Sequence, residues 1–511
     1  MALGRAWSIG LVGLDGHVVE VEADLAAGIP AFVLIGLPDT TMQEARDRVR
    51  AAVVNSGREW PQRRITLALS PAALPKRGSG FDLAMAVAVL VASEALPAGA
   101  AEGVVLLGEL SLDGRVRPVT GVLPAAFTAA RSGVRRLVVP AANVAEAALV
   151  PDLEVVGVPD LATLLAYLLG EPAAVALPPD APLPRAPAAG DDLDLADVLG
   201  QEQARRALEI AAAGAHNVFF LGPPGAGKTM LAERLPTILP RLAGDAALEV
   251  SAIHSVAGTL PADAPLITVP PFRAPHHTST LPALVGGGSG IARPGEVSLA
   301  HRGVLFLDEA PEFPTGHLDA LRQPLESGLV TIARSGGVAR YPARFMLVLA
   351  ANPCPCAAAG KKDRDCTCPA GVRRRYLARL SGPLLDRLDI QVDVDNVTRA
   401  DLVGATTAEP SAAVRSRVLA ARERMAQRFR DLPWSANGEV PGRELRRRWP
   451  LAGDVLAPAH SAVDTGRLSA RGLDRVVRVA WTLADLEGRD APTTSHVRRA
   501  VSLRKVVSHE F

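Results

Sequence analysis

The stretch GPPGAGKT at Gly222–Thr229 constrains this chain more than any other. It fills every fixed position of G-x-x-x-x-G-K-[ST], and the spacing has a geometric reason. Glycines let successive backbone N–H groups curl around phosphate oxygens. The lysine reaches the β- and γ-phosphates, and the following hydroxyl ligates Mg²⁺. Such a loop sits between a strand and a helix, and the sequence offers both: apolar Val218–Leu221 before it and Met230–Leu235 after it. A glycine-rich turn without nucleotide is the bland alternative, and this context disfavours it. The motif predicts an α/β fold that binds ATP and Mg²⁺ through Gly222, Pro223, Pro224, Gly225, Ala226, Gly227, Lys228 and Thr229.

A second motif follows. Val304–Leu307 reads as a buried strand ending in Asp308 and Glu309. Apolar runs ending in Asp-Glu are common and usually structural, but beside a phosphate loop they carry chemistry. Asp308 would hold Mg²⁺ together with Thr229, and Glu309 would orient and deprotonate the attacking water. Phe345–Ala350 reads as another buried strand, closely followed by Asn352. That amide suits the water or the γ-phosphate; a plain turn before Pro353 is the alternative. LLDRLDI places Arg387 after a short apolar segment, either as a surface arginine or as a cation that stabilises transition-state charge.

At 511 residues the chain is too long for one compact core, and 48% hydrophobic residues suffice for several. Lys+Arg 55 against Asp+Glu 54 leaves a net charge of +1, so any nucleic-acid site must be a local patch. The longest apolar stretch, Leu83–Ala92, is too short to cross a bilayer and reads as a buried helix. No signal peptide is recognisable. The expectation is a cytoplasmic protein without membrane partners, in which disulfides would be unusual.

Composition shifts suggest the organisation. Residues 1–170 alternate strand-like stretches (His17–Glu22, Phe32–Ile35, Ile65–Leu69) with helix-like ones (Thr41–Asn55, Asp82–Ala92). Val104–Leu112 and Arg115–Val119 flank Asp113-Gly114, a hairpin signal. Residues 171–192 are Pro/Ala-rich and read as a linker. Residues 193–399 hold the nucleotide motifs, and 400–511 have helical spacing. All four cysteines, Cys354, Cys356, Cys366 and Cys368, fall in one short segment as two C-x-C pairs. Four thiolates suit a structural Zn²⁺; unmetallated thiols and disulfides are the alternatives. Leu325–Phe345 reads as a hairpin: Val330 and Ile332 alternate, Ser335–Gly337 turn, and Tyr341 returns. Its Arg334 and Arg340, with Arg293 in the glycine-rich Val285–Gly295, would meet DNA phosphates, unless they simply line solvated loops. The adjacent His276 and His277 lack spaced partners and read as structural.

Longer segments carry a resemblance. FRAPHHTSTLPALVGGGSGIARPGEVSLAHRGVLFLDE (Phe272–Glu309), ANPCPC (Ala351–Cys356) and SGPLLDRLDI (Ser381–Ile390) resemble the magnesium-chelatase-like AAA+ proteins of the YifB/ComM family, and the likeness covers nearly the whole chain. It implies a P-loop AAA+ core with a C-terminal helical lid, preceded by a Lon-protease-like (ribosomal protein S5 domain 2-like) α+β domain. In that family Asn352 corresponds to sensor 1 and Arg387 to an arginine finger acting on a neighbouring subunit. LSARGLDRVVRVAWTLADL (Leu468–Leu486) resembles the lid helix bearing sensor 2, at Arg471 first and Arg475 second. The hairpin resembles the pre-sensor-1 hairpin, and Val285–Gly295 the helix-2 insert. The resemblance further implies a homo-hexameric helicase on single-stranded or branched DNA, driving branch migration in natural transformation beside recombination proteins. A chelatase-like or chaperone-like motor that remodels a partner protein is the alternative. The Lon-like segments, Pro75–Ala86 and Leu112–Pro140, have Gly80 where the family of proteases has its serine and Leu123 where it has its lysine, so acyl transfer is not expected.

Overall fold

The computed structural model describes residues 3–36, 44–74, 76, 78–178, 193–288, 292–334, 337–356, 366, 368–397 and 408–504. The chain opens with two long strands, β1 (Leu3–Val12) and β2 (Asp15–Ala26), paired antiparallel from Leu3↔Asp24 to Val12↔Asp15. The connection is two residues, and Gly13 adopts φ 67, which a two-residue hairpin demands. Period-2 alternation then buries Val19, Val21 and Ala23 on one face of β2. These meet the helix Asp82–Ala92, whose residues are all buried, as its uniform apolar character requires.

Further strands complete a mixed sheet: β3 (Ala31–Ile35), β4 (Arg64–Ser70), β5 (Val104–Leu106), β8 (Arg136–Pro140) and β9 (Glu154–Val158), in the order β3-β4-β2-β1-β5-β8-β9. The expected Val104–Val119 hairpin needs correcting. β5 lies parallel to β1 and β8, and only β6 (Glu109–Leu110) pairs with β7 (Val116–Arg117). A continuous apolar run such as Val104–Leu107 suits a strand buried on both faces better than a hairpin arm. The helix expected from Thr41 begins at Ala45 and runs to Asn55, with Glu44 as its N-cap; residues 41–43 lie outside the described ones. Of the Pro/Ala-rich segment, Ala176 bridges back to Gly157, while 179–192 lie outside the described residues.

The nucleotide motifs belong to a second, all-parallel sheet of β10 (Val218–Leu221), β11 (Phe272–Arg273), β14 (Val304–Leu307), β17 (Met346–Ala351) and β18 (Ile390–Asp393), ordered β11-β14-β17-β10-β18. Alternation divides these strands between two cores. Val218, Phe220, Phe306, Val348 and Ile390 face the helices Glu202–Gly214, Lys228–Ile238, Ser411–Arg428 and Ala470–Leu486. Phe219, Leu305, Leu307, Leu347 and Leu349 face the other side, where the hairpin β15 (Leu329–Arg334) and β16 (Gly337–Pro342) packs through Val330, Ile332, Ala339 and Tyr341. Leu325–Ser327, expected in that hairpin, instead close the helix Arg322–Ser327. A two-residue ladder, β12 (Gly286–Gly287) with β13 (Arg293–Pro294), lies beside it.

Among the described residues, the elements around the two sheets touch through the helix Asp245–Ala257 and through the hairpin. Gly121 N–H donates to Ser255 O (3.1 Å), and the Ser255 hydroxyl bonds the Glu146 carboxylate. Separately, the β1–β2 turn sits against the hairpin: a Cβ on Gly13 would lie 3.2 Å from both the backbone N and O of Arg340. No helix among the described residues is long and apolar enough to cross a membrane.

Candidate nucleotide site and cysteine cluster

Because β14, β17 and β10 are parallel neighbours, their carboxyl ends line up. Leu221 pairs with Ala351, and Leu307 with Leu349. The segments that follow therefore emerge side by side at strand spacing: the phosphate loop after Leu221, Asp308-Glu309 after Leu307, and Asn352 after Ala351. Lys228 Nζ donates to Gly222 O (2.7 Å), Pro223 O (2.9 Å) and Asn352 Oδ1 (3.0 Å). Thr229 Oγ1 donates to Asp308 Oδ2 (2.6 Å). Burial pushes the Lys228 ammonium below its ordinary range, while Asp308 and Glu309 pull the other way.

The loop fits a polyphosphate. Gly225 (φ 79) and Gly227 (φ 90) take left-handed conformations, and nothing lies within 4 Å of where their Cβ atoms would stand. The first turn of the helix Lys228–Ile238 presents N–H groups with no intrahelical partner, aimed at that open space. Thr229 and Asp308, already paired, are the oxygens that could hold Mg²⁺. Glu309 holds φ 48, uncommon for a residue with a side chain, and its N–H bonds Asp308 Oδ1 (2.8 Å).

Two predicted catalytic arginines are elsewhere. Arg387 and Asp389 precede β18, at the amino ends of the parallel strands, about 13 Å of strand away from the phosphate loop. Arg387 is buried; it donates to Pro383 O (2.5 Å) and to the Glu326 carboxylate. Arg471 is exposed at the start of the helix Ala470–Leu486, and Arg475, one turn on, donates to Asp389 Oδ1 (3.0 Å). One chain thus joins Lys228, Thr229, Asp308, Glu309 and Asn352, but brings neither Arg387 nor Arg471 to them.

Sequence reasoning overlooked a hub at that far end. Asn217, just before β10, donates its backbone N–H to Asp389 Oδ2 (3.0 Å) and its amide to Arg387 O (3.0 Å), and accepts from Leu347 N–H (2.8 Å). Burial opposes the charge on Asp389, but Arg475, His216 and Arg478 outweigh it and hold the carboxyl well below its usual range. A lone Asn before an apolar strand gives no local signal of this.

The four cysteines converge. The Sγ atoms of Cys354, Cys356, Cys366 and Cys368 all lie within 4.8 Å of one another, and all four are free thiols. Cys354 and Cys356 sulfurs are 2.9 Å apart, a non-bonded distance, so the disulfide alternative is not realised there. Burial, with neighbouring Cys356 and Cys366, pushes the Cys354 thiol up to about 12. Such crowded, reluctant thiols are what a cation holding four thiolates would relieve, and the cluster could bind a metal.

Arg334 and Arg340 are exposed on the hairpin and Arg293 on β13. The two ladders touch: Tyr341 OH donates to Ala292 O (2.6 Å), and a Cβ on Gly287 would lie 3.5 Å from Arg334 Nη2. The predicted turn residues Ser335 and Gly336 lie outside the described ones. In the first sheet, Gly80 has open space and Leu123 is buried. The buried Lys76 ammonium bonds Leu69 O (3.0 Å) and Pro71 O, and the Ser79 hydroxyl bonds the Glu109 carboxylate, so neither is engaged with the other.

A phosphate loop, an acidic strand end and an asparagine on three adjacent parallel strands define a nucleotide-binding class. The family model described as "Magnesium chelatase, subunit ChlI" matches residues 194–402. Those described as "Subunit ChlI of Mg-chelatase" and "Magnesium chelatase, subunit ChlI C-terminal" match 21–143 and 408–504. The class is chelatase-type AAA+, which implies ATP and Mg²⁺. An uncharacterized protein of Mycobacterium tuberculosis is 55% identical over 505 residues, covering 99% of each chain. YifB of Escherichia coli is 41% identical over 509 residues and competence protein ComM of Haemophilus influenzae 40% over 513, each covering 99% of this chain and 98% of its own. The chain belongs to the magnesium-chelatase-like family of YifB and ComM. A 178-residue stretch is also 27% identical to the Lon protease of Rhizobium meliloti, over 32% of this chain and 21% of that one.

Proposed function

We propose that the chain is an ATP-hydrolysing ring motor, a homo-hexamer that moves single-stranded or branched DNA and drives branch migration of recombination intermediates. The DNA reading rests on Arg293, Arg334 and Arg340. They are exposed on two touching ladders, and none has an acidic partner among the described residues. The Haemophilus influenzae relative is a competence protein, which supports a role in natural transformation beside recombination proteins. In this reading 1–170 is a Lon-like module without protease chemistry, 171–192 a linker, 193–399 the motor core and 400–511 its helical lid. The position of Arg387 at the far end of the strands supports a ring, because this arginine would serve the nucleotide of a neighbour, while Arg471 is read as sensor 2 on the lid. Bound Mg-ATP supplies the phosphoanhydride bond that is cleaved. Lys228 and the loop N–H groups would hold its phosphates, Asp308 and Thr229 its Mg²⁺, and Glu309 would take the proton of the attacking water.

DNA binding of this kind depends on phosphates and not on base edges. Three phosphate contacts on a single strand give a slope near −2 in log K against log salt, roughly a tenfold or greater loss between 50 and 200 mM. Arg334→Ala and Arg340→Ala are expected to flatten that slope and lower DNA-stimulated hydrolysis, with basal hydrolysis retained. The deciding assay is ATP-dependent conversion of a four-way junction to forked duplexes, beside binding isotherms at the two salt concentrations. An assembled, ATP-active ring that neither binds DNA nor moves the junction excludes this reading. The second reading, a motor that remodels a partner protein, is favoured by the exposed apolar Val338 near the hairpin tip and would then lead.

The cysteine cluster is proposed to hold one structural Zn²⁺ just after Asn352, stiffening the segment that carries that amide. Protein purified without added metal is expected to contain about one zinc per chain by elemental analysis. Cys354→Ser should lower both zinc content and melting temperature. Zinc-free protein of full activity would make the cluster a packing feature.

A further inference from the structure

We propose that His277 is a positioning residue for the Glu309 carboxylate, an inference that rests on the ATPase reading above. The placement follows from strand register. β11 and β14 are parallel with Arg273 opposite Leu305, and His277 lies four residues past Arg273 as Glu309 lies four past Leu305. Neighbouring strands of equal register deliver the two side chains to the same level beyond the sheet. His277 Nδ1 stands 3.6 Å from Glu309 Oε2.

The imidazole is held from two sides. Its ring lies 4.1 Å, centroid to centroid, from that of His276, and it meets the edge of the buried Phe313 at 6.4 Å. His276 is itself fixed by its Nδ1 contact with Thr278 Oγ1 at 2.8 Å. Glu309 needs such a partner. Its backbone is pinned by the left-handed φ and by the N–H bond to Asp308, yet its side chain is 52% exposed, and a half-exposed carboxylate samples several rotamers. In hydrolysis Glu309 accepts the water proton while the water oxygen bonds to the γ-phosphorus and the bond to the β–γ bridging oxygen breaks. Misplacing the accepting oxygen by about 1 Å costs on the order of a hundredfold. A proton on His277 Nδ1, drawn from 3.6 Å into hydrogen-bond range of Oε2, would fix the rotamer and leave Oε1 for water. This gives the His-His pair, opaque in sequence, a division of labour: His276 braces and His277 aims.

Two substitutions separate the N–H from the ring. His277→Phe keeps the ring contacts and removes the donor; His277→Asn removes the ring and keeps an N–H near the Nδ1 position. The full-length protein is assayed for kcat and KM, and for affinity to a non-hydrolysable ATP analogue, with Glu309→Gln in parallel. The expected result is a kcat roughly ten- to a hundredfold lower in His277→Phe, with KM and analogue affinity unchanged, and substantial recovery in His277→Asn. A His277→Phe protein turning over within about twofold of wild type, while Glu309→Gln is inactive, overturns this inference and leaves the ATPase reading intact. Asn as poor as Phe, in protein of wild-type melting temperature, overturns it too, because packing and not the donor would then matter. An active Glu309→Gln protein removes the ATPase role of Glu309 and this inference with it.

Discussion

The Glu309→Gln protein is expected to bind ATP as tightly as wild type and to hydrolyse it about 10²- to 10⁴-fold more slowly. The amide is nearly isosteric with the carboxylate, so the left-handed turn and the bond to Asp308 survive. What disappears is the proton acceptor. Lys228 keeps its loop, and Thr229 and Asp308 keep their pairing, so the binding groups are unaltered. Lys228→Ala should fail differently. It removes the only ammonium in the loop, and with it the charge that would meet the β- and γ-phosphates, so affinity and turnover are expected to fall together. Equilibrium binding of a fluorescent ATP analogue beside steady-state phosphate release distinguishes the two. A Glu309→Gln protein with full turnover would show that another group takes the proton.

Arg387→Ala is expected to lower turnover by roughly 10³- to 10⁵-fold while ATP binding persists. In its own chain Arg387 faces away from the phosphate loop and is occupied by Pro383 O and the Glu326 carboxylate. If the residue acts only across a subunit boundary, activity depends on who its neighbour is. A mixed ring of Arg387→Ala and Lys228→Ala subunits contains boundaries where an intact loop meets an intact arginine. Such rings should regain measurable hydrolysis, although each parent is inactive. Mass measurement of differently tagged subunits verifies mixing, and verified mixed rings without any regained activity would exclude action in trans. The expected size is large because the neighbouring Arg475 is committed to the buried Asp389, and Arg471, one turn before it on the same helix, is exposed.

Much of the nucleotide site was legible because it is local. Phosphate loop, Asp308-Glu309 and Asn352 each follow a short apolar strand, and the fold needs only to place those strands side by side. Features that depend on register between distant strands were not legible. His277 acquires meaning only once Arg273 is opposite Leu305. Asn217 does so only when the starts of β10, β17 and β18 adjoin. β1 went unnoticed for another reason. Gly4 and Gly10 dilute its strand signal, yet Gly4 is required there, since a Cβ would fall 2.0 Å from Ala88 O of the helix it crosses. The Val104–Val119 reading failed because the Asp113-Gly114 turn is real but short-ranged, closing only two pairs before β5 leaves for the large sheet. The cysteines were the opposite case: clustering in sequence translated directly into clustering in space.

The contact between the β1–β2 turn and the hairpin also bears on force. Gly13 lies so close to Arg340 that the hairpin cannot shift toward the first sheet without displacing the turn, and Gly337 leaves only 3.7 Å between its own Cβ position and Val12. The ten residue pairs between β1 and β2 make that turn the end of a stiff lever rooted in a seven-stranded sheet. A load on the hairpin tip would therefore be shared, in parallel, between the core that carries the hairpin and the amino-terminal sheet that backs it. The compliance of the tip is set jointly by two bodies far apart in sequence, and deleting the amino-terminal sheet would soften the hairpin without touching a single residue of the candidate nucleotide site.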